Sequence, residues 1–282
     1  MRVHHLNCGS FCPRGRRLIN GDGGLLERGH TICHCLAIEA GDGLVLVDTG
    51  FGLDDARDPA RLGSVFRTLM SPTPKEETTA LRQLEALGFV AADVRHVLTT
   101  HLDIDHSGGL PDFPAAEVHL LSAELDAALH PALNDRLRYP EAHWRHGPRW
   151  VRHDPDGDDW LGFESVRILP GLETEILLVP LIGHTRGHTA VAIRSGEGWL
   201  LHCGDAYFNH GELHSPPSCP PMMRFFQNLT ASDNRARKGN QERLRELVSR
   251  HGEEVTLVCS HDPDELEREQ ARGAAGAGVT AG

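Results

Sequence analysis

Thr99-Thr100-His101-Leu102-Asp103-Ile104-Asp105-His106-Ser107-Gly108-Gly109 places four potential metal ligands within six positions. The apolar run Val94–Thr99 precedes it and reads as a strand. A Gly-Gly turn follows. A loop leaving a strand end can splay such side chains around a common centre, whereas a helix would put only some of them on one face. Leu102 and Ile104 alternate with the donors, so apolar anchors and polar ligands can separate.

Working outward, three more segments repeat the arrangement of an apolar run followed by a donor. They are Val179-Pro180-Leu181-Ile182-Gly183-His184, Leu200-Leu201-His202-Cys203-Gly204-Asp205 and Leu257-Val258-Cys259-Ser260-His261-Asp262. Imidazole with carboxylate suits zinc, iron, manganese or cobalt, and an open coordination position makes such a site catalytic. Spacing carries this inference, because most of the 19 histidines need no function; His143, His146 and His153 sit among Trp, Pro and charged residues.

The remaining pattern is that of a layered α/β chain. Val3–Asn7 reads as a strand, and a Gly/Arg-rich loop runs on through Gly29. Thr31–Glu39 and Leu44–Asp48 flank Ala40-Gly41-Asp42-Gly43 as a hairpin. Lys75–Leu87 has helical period with Gly88 as its stop, and Ser122 caps a short helix, 123–130. Glu175–Leu181, Thr189–Arg194, Gly198–Cys203 and Val255–Cys259 read as strands, and Gln241–Val248 as a helix. Strands followed by mixed strands and helices predict one α/β domain over residues 1–270. Pro131–Phe163 holds three of the four Trp residues and reads as an irregular excursion, either a substrate lid or an ordered surface insertion. The Ala/Gly-rich stretch 271–282 reads as a disordered tail.

Bulk properties narrow the functional classes. A net charge of −12 argues against a phosphate-backbone binder, so no nucleic-acid partner is expected. No run reaches the ~18 apolar residues of a membrane helix, and no signal peptide opens the chain, which predicts a cytoplasmic protein. Seven cysteines without repeated spacing read as small buried hydrophobes rather than a disulfide framework. No G-x-S-x-G elbow for a serine hydrolase is present.

The four donor segments resemble the pattern of the metallo-β-lactamase superfamily: H-x-H-x-D-H, a distant His, then Asp, then His. Gly183-His184-Thr185-x-Gly187-His188-Thr189 and Gly204-Asp205 are similar to its hydrolase branch, which includes glyoxalase-II-like thioesterases and acyl-homoserine lactonases. The resemblance spans about 31–262 and implies a four-layer αββα sandwich with metals in a cleft at the sheet edges. It implies two divalent ions: one held by His101, Asp103 and His184, the other by Asp105, His106 and His261, with Asp205 between them. A hydroxide held between the ions would be the nucleophile. Zinc is the expected ion. Asp103 departs from the family's usual His, and either ligates directly, shifting preference toward iron or manganese, or turns away and leaves the first ion weakly held.

Other residues take supporting expectations. Asp105 could also move a proton between attacking water and leaving group. Tyr207 could donate to a substrate carbonyl or oxyanion, or simply pack. His188 reads as a residue that orients a ligand, or as a satisfied buried histidine. Asp48, in the D-T-G loop, reads as a buttress of the histidine loop. The function expected is hydrolysis of a lactone, thioester or related acyl bond of a small molecule. The alternatives are a phosphodiesterase or nuclease, a di-iron redox enzyme needing a separate electron donor, and a non-catalytic binding domain. The resemblance makes a homodimer plausible, and specificity is expected in 131–163 and in the loop from Phe208 to Leu229.

Overall fold

Alternation along the apolar runs decides which side chains meet. In the run Thr31–Ala40, Leu36 and Ile38 point to one face while Cys35 and Ala37 point to the other, and all four are buried. A strand buried on both faces must lie inside a layered structure. The structure, a computed structural model, describes residues 1–41, 43–133, 135–155, 157–170, 172 and 174–279, with side chains to 274.

Two six-stranded sheets result. The first runs, in order, β1 (Val3–Phe11), β2 (Thr31–Ala40), β3 (Gly43–Val47), β4 (Val94–Leu98), β5 (Glu117–Leu121) and β6 (Arg149–His153). Its first three strands are antiparallel and β3 to β6 are parallel. In the second, β7 (Asp158–Trp160), β8 (Phe163–Ile168), β9 (Ile176–Pro180), β10 (Thr189–Ser195) and β11 (Gly198–His202) form an antiparallel meander. β12 (Val255–Val258) joins β11 in parallel.

The sheets face each other through Leu36, Ile38, Val45, Val47 and Leu98 on one side and Ile176, Leu178, Val191, Ile193 and Val258 on the other. The outer face of the first sheet packs on Leu84 and Leu125, from the helices Ala80–Ala86 and Ser122–Leu129. The outer face of the second packs on Leu244 and Leu247, from the helix Asn234–His251. Helix, sheet, sheet, helix is the expected αββα order.

Several local expectations need correction. The hairpin forms as read, with Ala40 paired to Gly43, although Asp42 lies outside the described residues. The helix expected over 75–87 begins at Ala80, after the 3-10 turn Glu76–Thr78, because Thr79 caps it through Arg82 N–H. The excursion 131–163 is irregular only in its first half. Its second half supplies β6, β7 and the start of β8, and the edge positions of β6 and β7 let Arg149, Arg152 and Asp159 face water. That exposure hides the apolar alternation. The loop expected between Phe208 and Leu229 contains the helix Pro221–Thr230, which Pro221 opens from its first position. The helix expected at 241–248 spans Asn234–His251, capped by Asp233. The stretch read as a disordered tail from residue 271 continues the helix Pro263–Val279, since Ala is the best helix former; residues 280–282 lie outside the described residues. Among the described residues, no helix is long and apolar enough to cross a membrane.

Candidate metal centre

β3, β4, β9, β11 and β12 all release their C-terminal ends toward one rim, and every predicted donor follows one of them. Asp48 follows β3, and the group His101–His106 follows β4. His184, Asp205 and His261 follow β9, β11 and β12. In open parallel sheets, ligands bind outside the carboxyl ends of strands for this reason. Two donor groups converge there: His101, His184 and Asp205, and beside them Asp105, His106 and His261.

Asp205 stands between the groups. Its Oδ2 lies 3.3 Å from His184 Nε2 and 3.2 Å from His261 Nε2, while Oδ1 lies 3.3 Å from His106 Nε2. Asp105 Oδ2 is 3.7 Å from the Nε2 atoms of both His106 and His261. All seven predicted donors are buried or nearly so.

Neighbouring acceptors fix how the imidazoles present themselves. His106 Nδ1 donates to Asp48 Oδ2 at 2.9 Å, and His261 Nδ1 donates to the Ile32 carbonyl at 2.8 Å. His101 Nδ1 donates to the Thr100 hydroxyl at 3.0 Å, which donates in turn to Asp48 Oδ2 at 2.8 Å. Asp48 Oδ1 accepts from Thr100 N–H. Asp48 thus buttresses the histidine loop as expected, from a left-handed backbone position (φ 55°). Each donated Nδ1 proton leaves Nε2 as a lone pair aimed into the centre. Among the described residues, the buried His101 Nε2, His106 Nε2 and Asp205 Oδ1 have no hydrogen-bond partner. Buried polar atoms without partners are costly, so this donor set fits divalent metal ions.

The supporting layer holds the loops. His188 Nδ1 donates to the Leu181 carbonyl, and its Nε2 accepts Asp205 N–H at 2.9 Å, so this histidine orients the loop that carries Asp205. A Cβ on Gly204 would lie 2.6 Å from His188 Nε2, and φ there is +52°, so the position needs glycine. Glu124, which no sequence pattern marked, is fully buried and joins two ligand loops. Its carboxylate accepts from Leu102 N–H, Gly187 N–H, the Thr185 hydroxyl and the Tyr139 hydroxyl.

Arg138 is the second residue the sequence left unmarked. Its Nη2 donates to Asp103 Oδ2 at 2.9 Å, and its Nε lies 2.8 Å from Asp103 Oδ1. Asp103 Oδ2 is also 3.1 Å from His184 Nε2 and 3.5 Å from His101 Nε2. Asp103 therefore faces both the histidines and a guanidinium. Burial would raise its pKa, but Arg138 and His101 hold it well below the usual carboxylate range.

Charge is divided unevenly across the centre. Burial opposes protonation of His106, yet Asp205, Asp105 and Asp48 raise it well above the ordinary imidazole value. Burial lowers His184 to about 4, against the pull of Asp205.

Tyr207 requires a correction. It is fully buried, its hydroxyl donates to Glu265 at 2.9 Å, and it does not line the cleft, so it packs rather than reaching a substrate carbonyl. Cys203 and Cys259 are buried too, and burial pushes both thiols well above their usual values, which leaves them inert.

Above the donors opens a cleft of about 1300 Å³. Phe66 and Met70 of the helix Ser64–Met70, Met223 and Phe226 of the helix Pro221–Thr230, and Phe208 and Ile104 give it apolar walls. From the 131–163 excursion, residues between Ala132 and Pro140 reach it, Arg138 among them.

The sequence pattern of the Metallo-beta-lactamase superfamily matches residues 28–261. A probable metallo-hydrolase of Mycobacterium tuberculosis is 44% identical over 274 residues, covering 96% of this chain and 84% of that one. An N-acyl homoserine lactonase of Rhizobium johnstonii is 27% identical over 236 residues, covering 79% and 78%. The solved structure of an N-acyl homoserine lactone hydrolase, with N-hexanoyl-L-homoserine bound at its catalytic metal centre, superposes with a TM-score of 0.70 at 19% identity, over 95% of each chain. The chain belongs to the metallo-β-lactamase superfamily, as a hydrolase of that fold.

Proposed function

We propose that the chain hydrolyses a lactone or related acyl bond of a small molecule with an apolar acyl group, using two divalent ions, zinc first among them. His101, His184 and Asp205 would hold one ion, with Asp103 as a further donor. Asp105, His106, His261 and the same Asp205 would hold the other. The observation that carries this reading is the set of partnerless atoms, His101 Nε2, His106 Nε2 and Asp205 Oδ1, clustered about Asp205, which lines the cleft. Bound ions would supply Lewis-acid polarisation and a water acidic enough to attack at neutral pH.

The chain's own residues do the rest. Asp48, Thr100 and the Ile32 carbonyl keep three imidazoles in the tautomer whose Nε2 faces inward. Phe66, Phe208, Met223 and Phe226 exclude water from an acyl chain and orient it. Asp105 lines the cleft, and its carboxylate would take a proton from attacking water and return it to the leaving alkoxide. The acyl-homoserine lactonases among the relatives support a lactone as the scissile group.

The test is elemental mass spectrometry on protein purified without chelator, with pH-stat turnover of acyl-homoserine lactones of graded chain length. Asp205→Ala is expected to hold near two metal equivalents fewer than wild type, those of the cleft, and to lose lactone opening with them. Protein that takes up no added zinc, manganese or iron would overturn the reading. Full metal with no turnover of lactones, thioesters or aryl esters would overturn the substrate class.

A further inference from the structure

A second group of metal-ligating side chains lies away from the cleft, on the edge half of the first sheet. His96 on β4, Glu117 and His119 on β5, and Arg149 and His153 on β6 share one sheet face, because register pairs His96 with Glu117, Glu117 with Arg149 and Leu121 with His153. None of them lines the cleft. His96 Nδ1 lies 3.1 Å from His119 Nε2 and 3.6 Å from Glu117 Oε2, and His119 Nε2 lies 4.0 Å from the same Oε2. Zinc bonds of the usual length in a tetrahedron set donor atoms about 3.3 Å apart. The three separations bracket that value.

Two of the three donors are also oriented from behind. His119 Nδ1 and His153 Nε2 are 3.0 Å apart, so a proton donated from Nδ1 leaves His119 Nε2 free to ligate. Arg149 Nη2 donates to Glu117 Oε1 at 2.6 Å, which directs Oε2 toward the histidines. Ligating histidines are commonly held by such a partner on the opposite ring nitrogen. Burial and the two neighbouring imidazoles lower His119 to about 3, and burial lowers His96, so both rings favour the neutral form that can ligate. His119 is buried, while the side chains of His96 and Glu117 are partly open to solvent, leaving room for water to complete the coordination.

We propose that His96, Glu117 and His119 form a second, independent binding site for a divalent transition ion of the zinc type, cross-linking β4 to β5. The site is structural in character: it ties two interior strands of the edge half of the first sheet, and β6 holds two of its donors in place.

Zinc uptake by the full-length protein tests it. After equilibration with zinc and removal of free ion, wild type is expected to hold one equivalent more than His96→Gln, with lactone and ester turnover unchanged in the variant. His153→Leu, which removes the partner of His119 at a half-exposed position, is expected to weaken that extra equivalent 10- to 100-fold in chelator competition without changing the cleft equivalents. Cobalt added to Asp205→Ala protein should still give the visible absorption of a histidine-ligated ion, and should lose it when His96→Gln is added. Equal zinc content in wild type and His96→Gln, or unchanged affinity in His153→Leu, would overturn the site and leave the imidazoles as a hydrogen-bonded ladder.

Discussion

Asp103 and Arg138 show how far a single substitution reaches. Where the family pattern has a neutral imidazole, this chain has a carboxylate, and a guanidinium 35 positions later answers it. Arg138 Nη2 also lies 3.3 Å from His184 Nε2, so the cation sits against the donors proposed for the first ion. A unit charge about 4 Å from a divalent ion opposes it by roughly 8 kcal/mol at an effective dielectric of about 20, before screening by Asp103 reduces it. Arg138→Met should therefore tighten zinc at the His101 and His184 position by roughly tenfold or more, one decade being ~1.4 kcal/mol. Asp103→Asn should weaken it. Competition with a graded series of chelators measures both, and weaker retention in Arg138→Met would reject a competition between arginine and metal for Asp103. The donors themselves were legible because each follows an apolar run within a few residues. Their partners were not: Arg138 and Glu124 reach the centre only through the folded path of the chain, and neither stands in a local pattern.

Among the elements, most strands that end at the rim were readable since their faces are largely buried, which makes β3, β9, β11 and β12 mainly apolar runs, while β4 carries Arg95 and His96 and is marked by Val94 and the buried pair Val97-Leu98. β6 was not, because an edge strand carries Arg149, Arg152 and His153 in place of that run. The helix Pro221–Thr230 does carry a helical stripe, Met222, Phe225, Phe226 and Leu229, but the proline pairs Pro216-Pro217 and Pro220-Pro221 before it read as a stiffened loop, and the stripe lines the cleft rather than the core. The helix Ser122–Leu129 was found, but its main role was not. Its Glu124 receives the loop after β4 and the loop after β9 together, and the fit is close, since a Cβ on Gly187 would lie 2.2 Å from Glu124 N. Glu124→Ala strands two buried backbone N–H groups, at about 1–3 kcal/mol each. The expected loss is about 3 kcal/mol or more of unfolding free energy in urea, together with weaker metal retention, because both ligand loops lose their common tether. A loss below about 1 kcal/mol would show that water or a shifted side chain replaces the carboxylate.

At the scale of the whole molecule, the polar layer continues behind the centre into the second sheet's outer core, where Tyr207, Cys203 and Cys259 surround Glu265. Burial, reinforced by Asp262, raises this carboxyl to about 7, while Cys259 N–H and the Tyr207 hydroxyl pull the other way. The sign of its contribution follows from that direction. An acid whose pKa is higher folded than unfolded favours the folded state while protonated in both. Its contribution is fully present below about pH 4.5 and is lost progressively as pH rises toward 7. The maximum slope is ~1.4 kcal/mol per pH unit, and the full span is about 3 kcal/mol. Glu265→Gln keeps an acceptor for the Tyr207 hydroxyl, loses the one for Cys259 N–H, and cannot ionise. Other carboxylates and histidines titrate in the same window, so the informative quantity is the difference between the two proteins. Measured by urea unfolding at intervals from pH 5 to 8, wild type should lose stability relative to Glu265→Gln up to about pH 7 and hold a constant offset beyond. A difference that stays flat across pH 5–7 would mean that the hydrogen bonds from Tyr207 and Cys259 offset burial and that Glu265 is ionised throughout this range.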